Sequence, residues 1–205
     1  MKKICLLTMG LALMTVTAFA APQTDIQQGK TAVDLGVFNS KTAINGDDFD
    51  TNTKIDAGIT TGLSDKYAIQ YKYHALGSGN DPYGNKSDIN TQEFNVLYKL
   101  TPTTDAFVGL HRIDGSYDSS DIDAKNKVQV GITSTVPLSS AVSAWGTLAA
   151  GSDLVTLEAG LSHPLSRSAD LNVYYRYTKD NDLRYYGQKF DFENNGFGLG
   201  VTMKF

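Results

Sequence analysis

Cysteine is almost missing from this chain: 205 residues hold a single one, Cys5, and it lies in a segment read below as a leader. A mature chain with no cysteine has no disulfide framework, so its stability comes from packing or from a closed hydrogen-bonded ladder. Long apolar runs are missing too. After residue 20 nothing offers the ~18 continuous apolar residues that a membrane helix requires, which excludes a helical membrane protein. Nor is there a dense basic stretch: 18 Lys and Arg stand against 22 Asp and Glu, a net charge of −4, and a nucleic-acid backbone is excluded as a partner. The mean hydropathy of −0.24 resembles that of a soluble protein. A membrane β-barrel would give the same value, because its lipid-facing and lumen-facing residues cancel in the average. The length suits one or at most two domains with a sizeable core.

The chain begins as an export signal does. Met1-Lys2-Lys3 is a short basic start, Ile4 to Phe19 is mostly apolar, and Ala18-Phe19-Ala20 is an Ala-x-Ala exit ahead of Ala21-Pro22. Residues 1–20 are therefore expected to be a cleaved signal peptide, 21–29 a short N-terminal periplasmic segment, and 30–205 the folded unit. A lipoprotein would carry its cysteine at the cleavage boundary, where Ala21 stands. Cleavage removes two lysines and no acid, leaving 16 basic against 22 acidic residues and a charge of −6.

From residue 30 onward the dominant pattern is alternation with period two. Thr31, Val33, Leu35 and Val37 alternate with Ala32, Asp34 and Gly36, and Val155, Leu157, Ala159 and Leu161 with Thr156, Glu158 and Gly160. Ten such segments can be read, ending with Phe197 to Phe205. Segment 105–114 leaves its two faces undecided, and 141–150 is a weaker strand with small residues on both faces; eight strands result if 141–163 is misread. Short turns at 64–65, 101–104, 137–140 and 164–168 take turns with longer polar loops at 39–52, 77–89, 115–125 and 179–193, the link at 151–153 being the exception. Strands of about 10 residues with short turns at one rim and long loops at the other predict an all-β fold, a transmembrane antiparallel up-and-down barrel. Closure follows, because an open edge in lipid would strand unpaired backbone groups.

Period two does not say which face is inward. The polar face carries Asp34, Asp56, Lys72, Glu93, Lys99, Glu158 and Arg176, too many charges for the packed core of a soluble barrel. The apolar face carries Tyr67, Tyr98 and Tyr177 near strand ends, as interfacial girdles do. Glycine is frequent on the polar face, where a crowded lumen needs room.

The last nine residues, with Phe197, Leu199, Val201, Met203 and Phe205 at every second position, resemble the terminal insertion signal of bacterial outer-membrane proteins. The whole mature chain resembles small outer-membrane β-barrel proteins of the porin-like kind. The resemblance implies an outer-membrane location in a Gram-negative-type envelope, both termini and the short turns on the periplasmic side, and insertion by the barrel-assembly machinery. It also implies lipid and lipopolysaccharide as surroundings.

A ten-stranded barrel has a narrow lumen. The registers turn Asp34, Asp56, Gln70, Lys72, His74, Glu93, Asn95, Gln129, Glu158, Tyr174 and Arg176 inward. One reading is a constriction of mixed charge that passes small solutes or ions. The other is a salt-bridged plug, leaving the surface loops to act as a structural or adhesive face, with Tyr185-Tyr186 as exposed anchors. A monomer is the expectation, and no cofactor is implied.

Enzyme chemistry finds little footing. Outer-membrane proteases of the omptin type also use ten strands, with Asp pairs and an Asp-x-His at the rim. Asp47-Asp48 is present here, but no Asp-x-His occurs and no loop holds a histidine. His74 and His111 are expected near the outer rim and His163 near the turns. No serine has the context of a nucleophile, and a palmitoyl-transferase-like barrel has no better support. Asp48-Phe49-Asp50-Thr51-Asn52 begins like a calcium loop, but Thr53 stands where the turn glycine belongs and Ile59 where the bidentate glutamate belongs. Asp118, Asp121 and Asp123 suggest loose cation contact at most, so no metal site is assigned.

Overall fold

Alternation of apolar and polar residues sorts the strands into two faces, and the ladder closes on itself. The computed structural model describes residues 26–49, 52–76, 87–117 and 120–205. The leader reading at 1–20 falls outside the described residues, as do Asp50, Thr51 and Asp118.

Twelve strands follow in order: β1 (Thr31–Ile44), β2 (Asp47–Asp48), β3 (Asn52–Gly62), β4 (Tyr67–Ala75), β5 (Ser87–Thr101), β6 (Thr104–Tyr117), β7 (Ser120–Asp121), β8 (Lys125–Pro137), β9 (Ser143–Gly151), β10 (Leu154–Ser166), β11 (Ala169–Tyr185) and β12 (Gln188–Lys204). β2 and β7 are two-residue ribbons on β1 and β6. The other ten pair in antiparallel sequence order, and β12 returns to β1. The seam is tied at its end by reciprocal bonds, Thr31 N–H to the Phe205 carbonyl (3.1 Å) and Phe205 N–H to the Thr31 carbonyl (2.8 Å). Ten strands, including the weak pair β9–β10, form the barrel.

The outer face is apolar. Leu35, Val37, Ile55, Val130, Leu157 and Leu199 are all exposed on it. From Val155 to Leu165 the outward positions of β10 span ten residue steps, about 33 Å of strand, or about 25 Å of height once tilted, which matches the apolar band of an outer-membrane barrel. Aromatics mark both edges of this band: Tyr67 and Tyr98 pack at 5.1 Å near the turns, and Tyr175 and Phe197 at 5.2 Å further toward the loops. In β6 the undecided faces resolve with Phe107, Gly109 and His111 inward and Val108 and Leu110 outward.

Two expected loops are strand. Segment 39–52 continues β1 to Ile44, turns at Asn45-Gly46 and returns as β2. Segment 179–193 is a continuous β11–β12 hairpin whose link is Tyr186-Gly187 alone. Both links hold two successive positive φ angles, 52° and 88° at Asn45 and Gly46, 49° and 77° at Tyr186 and Gly187. This is the type I′ geometry that fits tight hairpins. The alternation changes sense in these extensions because the outer face leaves the lipid and becomes polar while the inner face turns apolar at Phe38, Leu183 and Phe192. β7 likewise occupies part of 115–125.

The rim at the loop end is uneven. β9 and β10 stop at Gly151 and Leu154, level with Asp180 of β11, while β11 rises on to Tyr185. Above the low hairpin, β11 bonds directly to the approach of β8: Asp123 N–H reaches the Arg184 carbonyl (3.0 Å), and Lys125 Nζ donates to the Asp182 carbonyl (2.7 Å). At the other end, residues 26–29 of the expected N-terminal periplasmic segment pack against the turn end of the barrel. Ile26 is 0% exposed, Lys99 Nζ donates to its carbonyl (2.8 Å), and Gly29 N–H bonds to Gly62 (3.0 Å).

Glycine at the seam is a steric requirement. A Cβ at Gly196 would stand 2.1 Å from the Asn39 carbonyl oxygen of β1. Gly196→Ala is expected to destabilise the barrel by about 1–3 kcal/mol through forced strand displacement, read as a lowered urea midpoint in lipid vesicles. An unchanged midpoint would remove the steric argument.

Candidate functional site in the barrel interior

The bore is narrow enough that inward side chains of opposite walls meet across the axis. They form three levels. Nearest the turns, Ile26, Ala68, Leu97, Phe107 and Ala149 make an apolar cluster. At the loop end Phe38, Leu76, Ile89, Ile113, Leu183 and Phe192 make another, joined by Ile122. Between them lies a polar layer in which the ionisable side chains Asp56, Lys72, Glu93, Glu158 and Arg176 meet.

Arg176 of β11 is the hub of that layer. It is 1% exposed, its Nη2 donates to Asp56 Oδ2 on β3 (2.5 Å), and its Nη1 lies 3.5 Å from Glu158 Oε1 on β10. Its guanidinium carbon sits 4.1 Å over the Phe38 ring, so the cation is roofed by the loop-end cluster. Tyr174 Oη donates to Asp56 Oδ2 (2.5 Å), and His74 Nδ1 lies 3.1 Å from Asp56 Oδ1. Lys72 Nζ donates to Glu158 Oε2 (3.2 Å). Glu93 accepts from Asn95 Nδ2 (3.2 Å) and Gln129 Nε2 (2.9 Å), and Asn95 also donates to Gln70 Oε1 (3.2 Å).

The eleven residues anticipated on the inner face thus stand there, and all but Asp34 join one hydrogen-bonded and ion-paired set. Asp34 lies apart on β1, accepting from Thr202 Oγ1 (2.5 Å). The two histidines are not at the outer rim. His74 is 3.8 Å from Glu93 Oε1, and His111 lies 3.8 Å from both Glu93 and Asp180, buried in mid-barrel. They sit deeper because β5 beside His74 and β6 beyond His111 run on toward the loops, and Leu76, Ile89 and Ile113 of the loop-end cluster lie above them. His163 is outward near the turns, its Nδ1 2.8 Å from the Ala141 carbonyl oxygen.

Four participants escaped the reading of the sequence. Lys127 and Asp180 form a buried ion pair, and Lys127 also donates to the Asn181 carbonyl (2.8 Å). Asp180 fell within a segment read as loop, although Tyr174, Arg176 and Thr178 before it share its parity and were the available signal. Asn172 and Trp145 complete the wall: Asn172 Nδ2 donates to Thr202 Oγ1 (2.8 Å), and the Trp145 ring lies 5.9 Å from that of Tyr174. Outside the band, on the β11–β12 hairpin, Lys189 donates to Asp182 (2.7 Å) and holds that exposed carboxyl below its ordinary value.

Inward glycines leave space beside this set. A cavity of about 80 Å³ lies against β1, β3 and β12, where Gly36, Gly58 and Gly200 stand in the wall. Among the described residues, no three His, Cys, Asp or Glu side chains are spaced to hold a metal ion.

A closed antiparallel ladder, apolar outside and charged inside, with chain ends joined at one rim, defines a transmembrane β-barrel of the outer-membrane type. Residues 9–205 match the family described as outer membrane protein beta-barrel domain, and the chain belongs to that family. It is an outer-membrane protein, surrounded by membrane lipid and lipopolysaccharide. No curated protein matches it. Among solved structures it is similar to the outer membrane protease OmpT from Escherichia coli, at 13% identity over 93% of this chain and 100% of that one, TM-score 0.55. It is also similar to Neisserial surface protein A, at 14% identity over 87% and 100%, TM-score 0.51. The attachment invasion locus protein Ail of Yersinia pestis aligns at 11% identity over 87% and 100%, TM-score 0.43. At these identities the likeness is one of fold.

Arg176→Met leaves Asp56 short of its cation in a dry interior. The expected loss is about 3–5 kcal/mol of unfolding free energy in lipid vesicles, partly restored by adding Asp56→Asn. Equal stability of both variants and the wild type would show the ion pair to be idle.

Proposed function

We propose that this protein is a sealed outer-membrane barrel that works as a structural or adhesive element through its loop-end surface. One observation carries the reading: a paired ionic layer lies between two apolar clusters, one at each end of the lumen. Water and ions crossing such a path would have to strip their hydration twice and break buried ion pairs between. The raised β11–β12 hairpin, with Tyr186 79% exposed at its tip, supplies a surface for contact. Among the described residues the interior histidines face carboxylates and an arginine, not a serine or threonine hydroxyl, which supports a non-enzymatic reading.

A second reading, passage of small solutes past the charged residues of the lumen, is favoured by the cavity of about 80 Å³ beside the ionic layer. The outward row Phe197, Leu199, Val201, Met203 and Phe205 serves, in either reading, as the insertion signal for the barrel-assembly machinery.

Planar-bilayer recording separates the two. The sealed barrel is expected to give no discrete current steps, whereas reproducible unitary steps from the wild-type protein would overturn it in favour of passage.

A further inference from the structure

The raised β11–β12 hairpin is held at its foot from inside the bore. Asp180 is the last residue of β11 in register with β12 before the shift that separates it from Leu183, and Asp182 within that shift has a φ of 64°. β10 reaches no higher than Leu154, level with Asp180, so above this point the hairpin has lost a neighbour. The Asp180 carboxylate is 0% exposed and meets two basic side chains: Lys127 of β8 at Oδ1, and His111 of β6, whose Nε2 lies 3.8 Å from Oδ2. The other ring nitrogen of His111, Nδ1, lies 3.8 Å from Oε1 of Glu93 on β5, the strand opposite β11 in the ring of ten.

Three buried atoms here lack a hydrogen-bond partner among the described residues: His111 Nδ1, His111 Nε2 and Asp180 Oδ2. A neutral imidazole carries one N–H and one lone pair, so in either tautomer it turns a lone pair toward one of the two carboxylates. The imidazolium carries two N–H groups. A small shift of the ring then answers Glu93 Oε1 and Asp180 Oδ2 together, and none of the three atoms stays unpaired. His74 has no such choice. Its Nδ1 faces Arg176 Nη1 at 2.5 Å, and a guanidinium nitrogen only donates, so that position must accept. The ionisable groups around His111 are Lys127 beside it on β8, Glu93 on β5 and Asp180 on β11, with Lys72 and His74 of β4 beyond Glu93.

We propose that His111 is a proton-operated latch. As the imidazolium it bridges Glu93 and Asp180 across the bore and holds the foot of the β11–β12 hairpin; on losing that proton it lets the hairpin go. The latched state binds one proton more than the released one, so acid favours it and a rise in pH frees the hairpin. The ratio of the two states changes by up to about tenfold per pH unit. Lys127 stays paired with Asp180 in both states, so release loosens the hairpin and leaves the barrel closed. The latch works in the same way whether or not the lumen conducts.

The chain has three histidines, few enough for their ring nitrogens to be followed one by one by NMR. The folded, nitrogen-15-labelled protein in detergent micelles is titrated from about pH 5 to about pH 8, the range in which imidazoles change charge. The His111 signals are assigned by their loss in His111→Gln. The expected result is a His111 ring protonated at both nitrogens at the acid end and at one at the other, with the backbone amides of Asp182 to Lys189 shifting at the same midpoint. In His111→Gln those amides are expected to keep their high-pH positions throughout, and in His163→Gln, changed on the outer face near the turns, to respond as in the wild type. If His111→Gln does not fold, the coincidence of the two midpoints in the wild type decides. A His111 ring that keeps one protonation state across the range overturns the proposal. So do hairpin amides that stay still or follow His74 instead, and a pH response that persists in folded His111→Gln.

Discussion

Backbone hydrogen bonding in an apolar medium is the constraint on which this molecule depends. No water reaches the acyl region to satisfy an exposed N–H or C=O, so a sheet can rest there only after its first and last strands have joined. The β1–β12 ladder runs unbroken from Ala32–Lys204 to Ile44–Phe192. Once the ring is closed at ten strands, its bore is fixed, and the inner side chains must fill it. That filling is direct at Gly198 of β12, where Tyr174 lies over the backbone at a distance a Cβ would violate.

Charges in such a bore are tolerated because they answer one another. Arg176 touches carboxylates on two different strands and lies on an aromatic ring, Lys72 shares Glu158 with it, and Lys127 pairs with Asp180. Buried pairs of this kind contribute less to net stability than to specificity, because desolvation offsets most of their attraction. Their effect here is to fix one arrangement of side chains across the axis, with the apolar clusters excluding the water that would loosen it.

Much of this was legible in the residues. Lipid imposes alternation on every strand that crosses it, and the inner face can then be found by parity, which is why Asp56, Lys72, Glu93, Glu158 and Arg176 were identifiable together. The strand extensions were not. Beyond the bilayer the outward positions Asn39, Lys41 and Lys179 are polar, while the inward ones include Phe38, Leu183 and Phe192, so apolar residues switch from the outer face to the inner. A pattern that inverts midway along a strand reads as a loop. Cross-axis partners were also beyond reach, because parity says that a side chain points inward but not which strand it faces. The packing of Ile26 against the turn end of the barrel has no periodic signal at all.

Sequence separation in the interior has a consequence for assembly. Neighbouring strands pair as local hairpins, but Thr202 meets Asp34 across 168 residues, Arg176 meets Asp56 across 120, and Lys72 meets Glu158 across 86. Hairpins can zip early and independently, whereas contacts of this range wait for the final strand and carry the largest loop-closure entropy. Sealing of the circumference and drying of the bore therefore belong to a single late, cooperative event, and until it happens the nascent sheet keeps its ionic face hydrated.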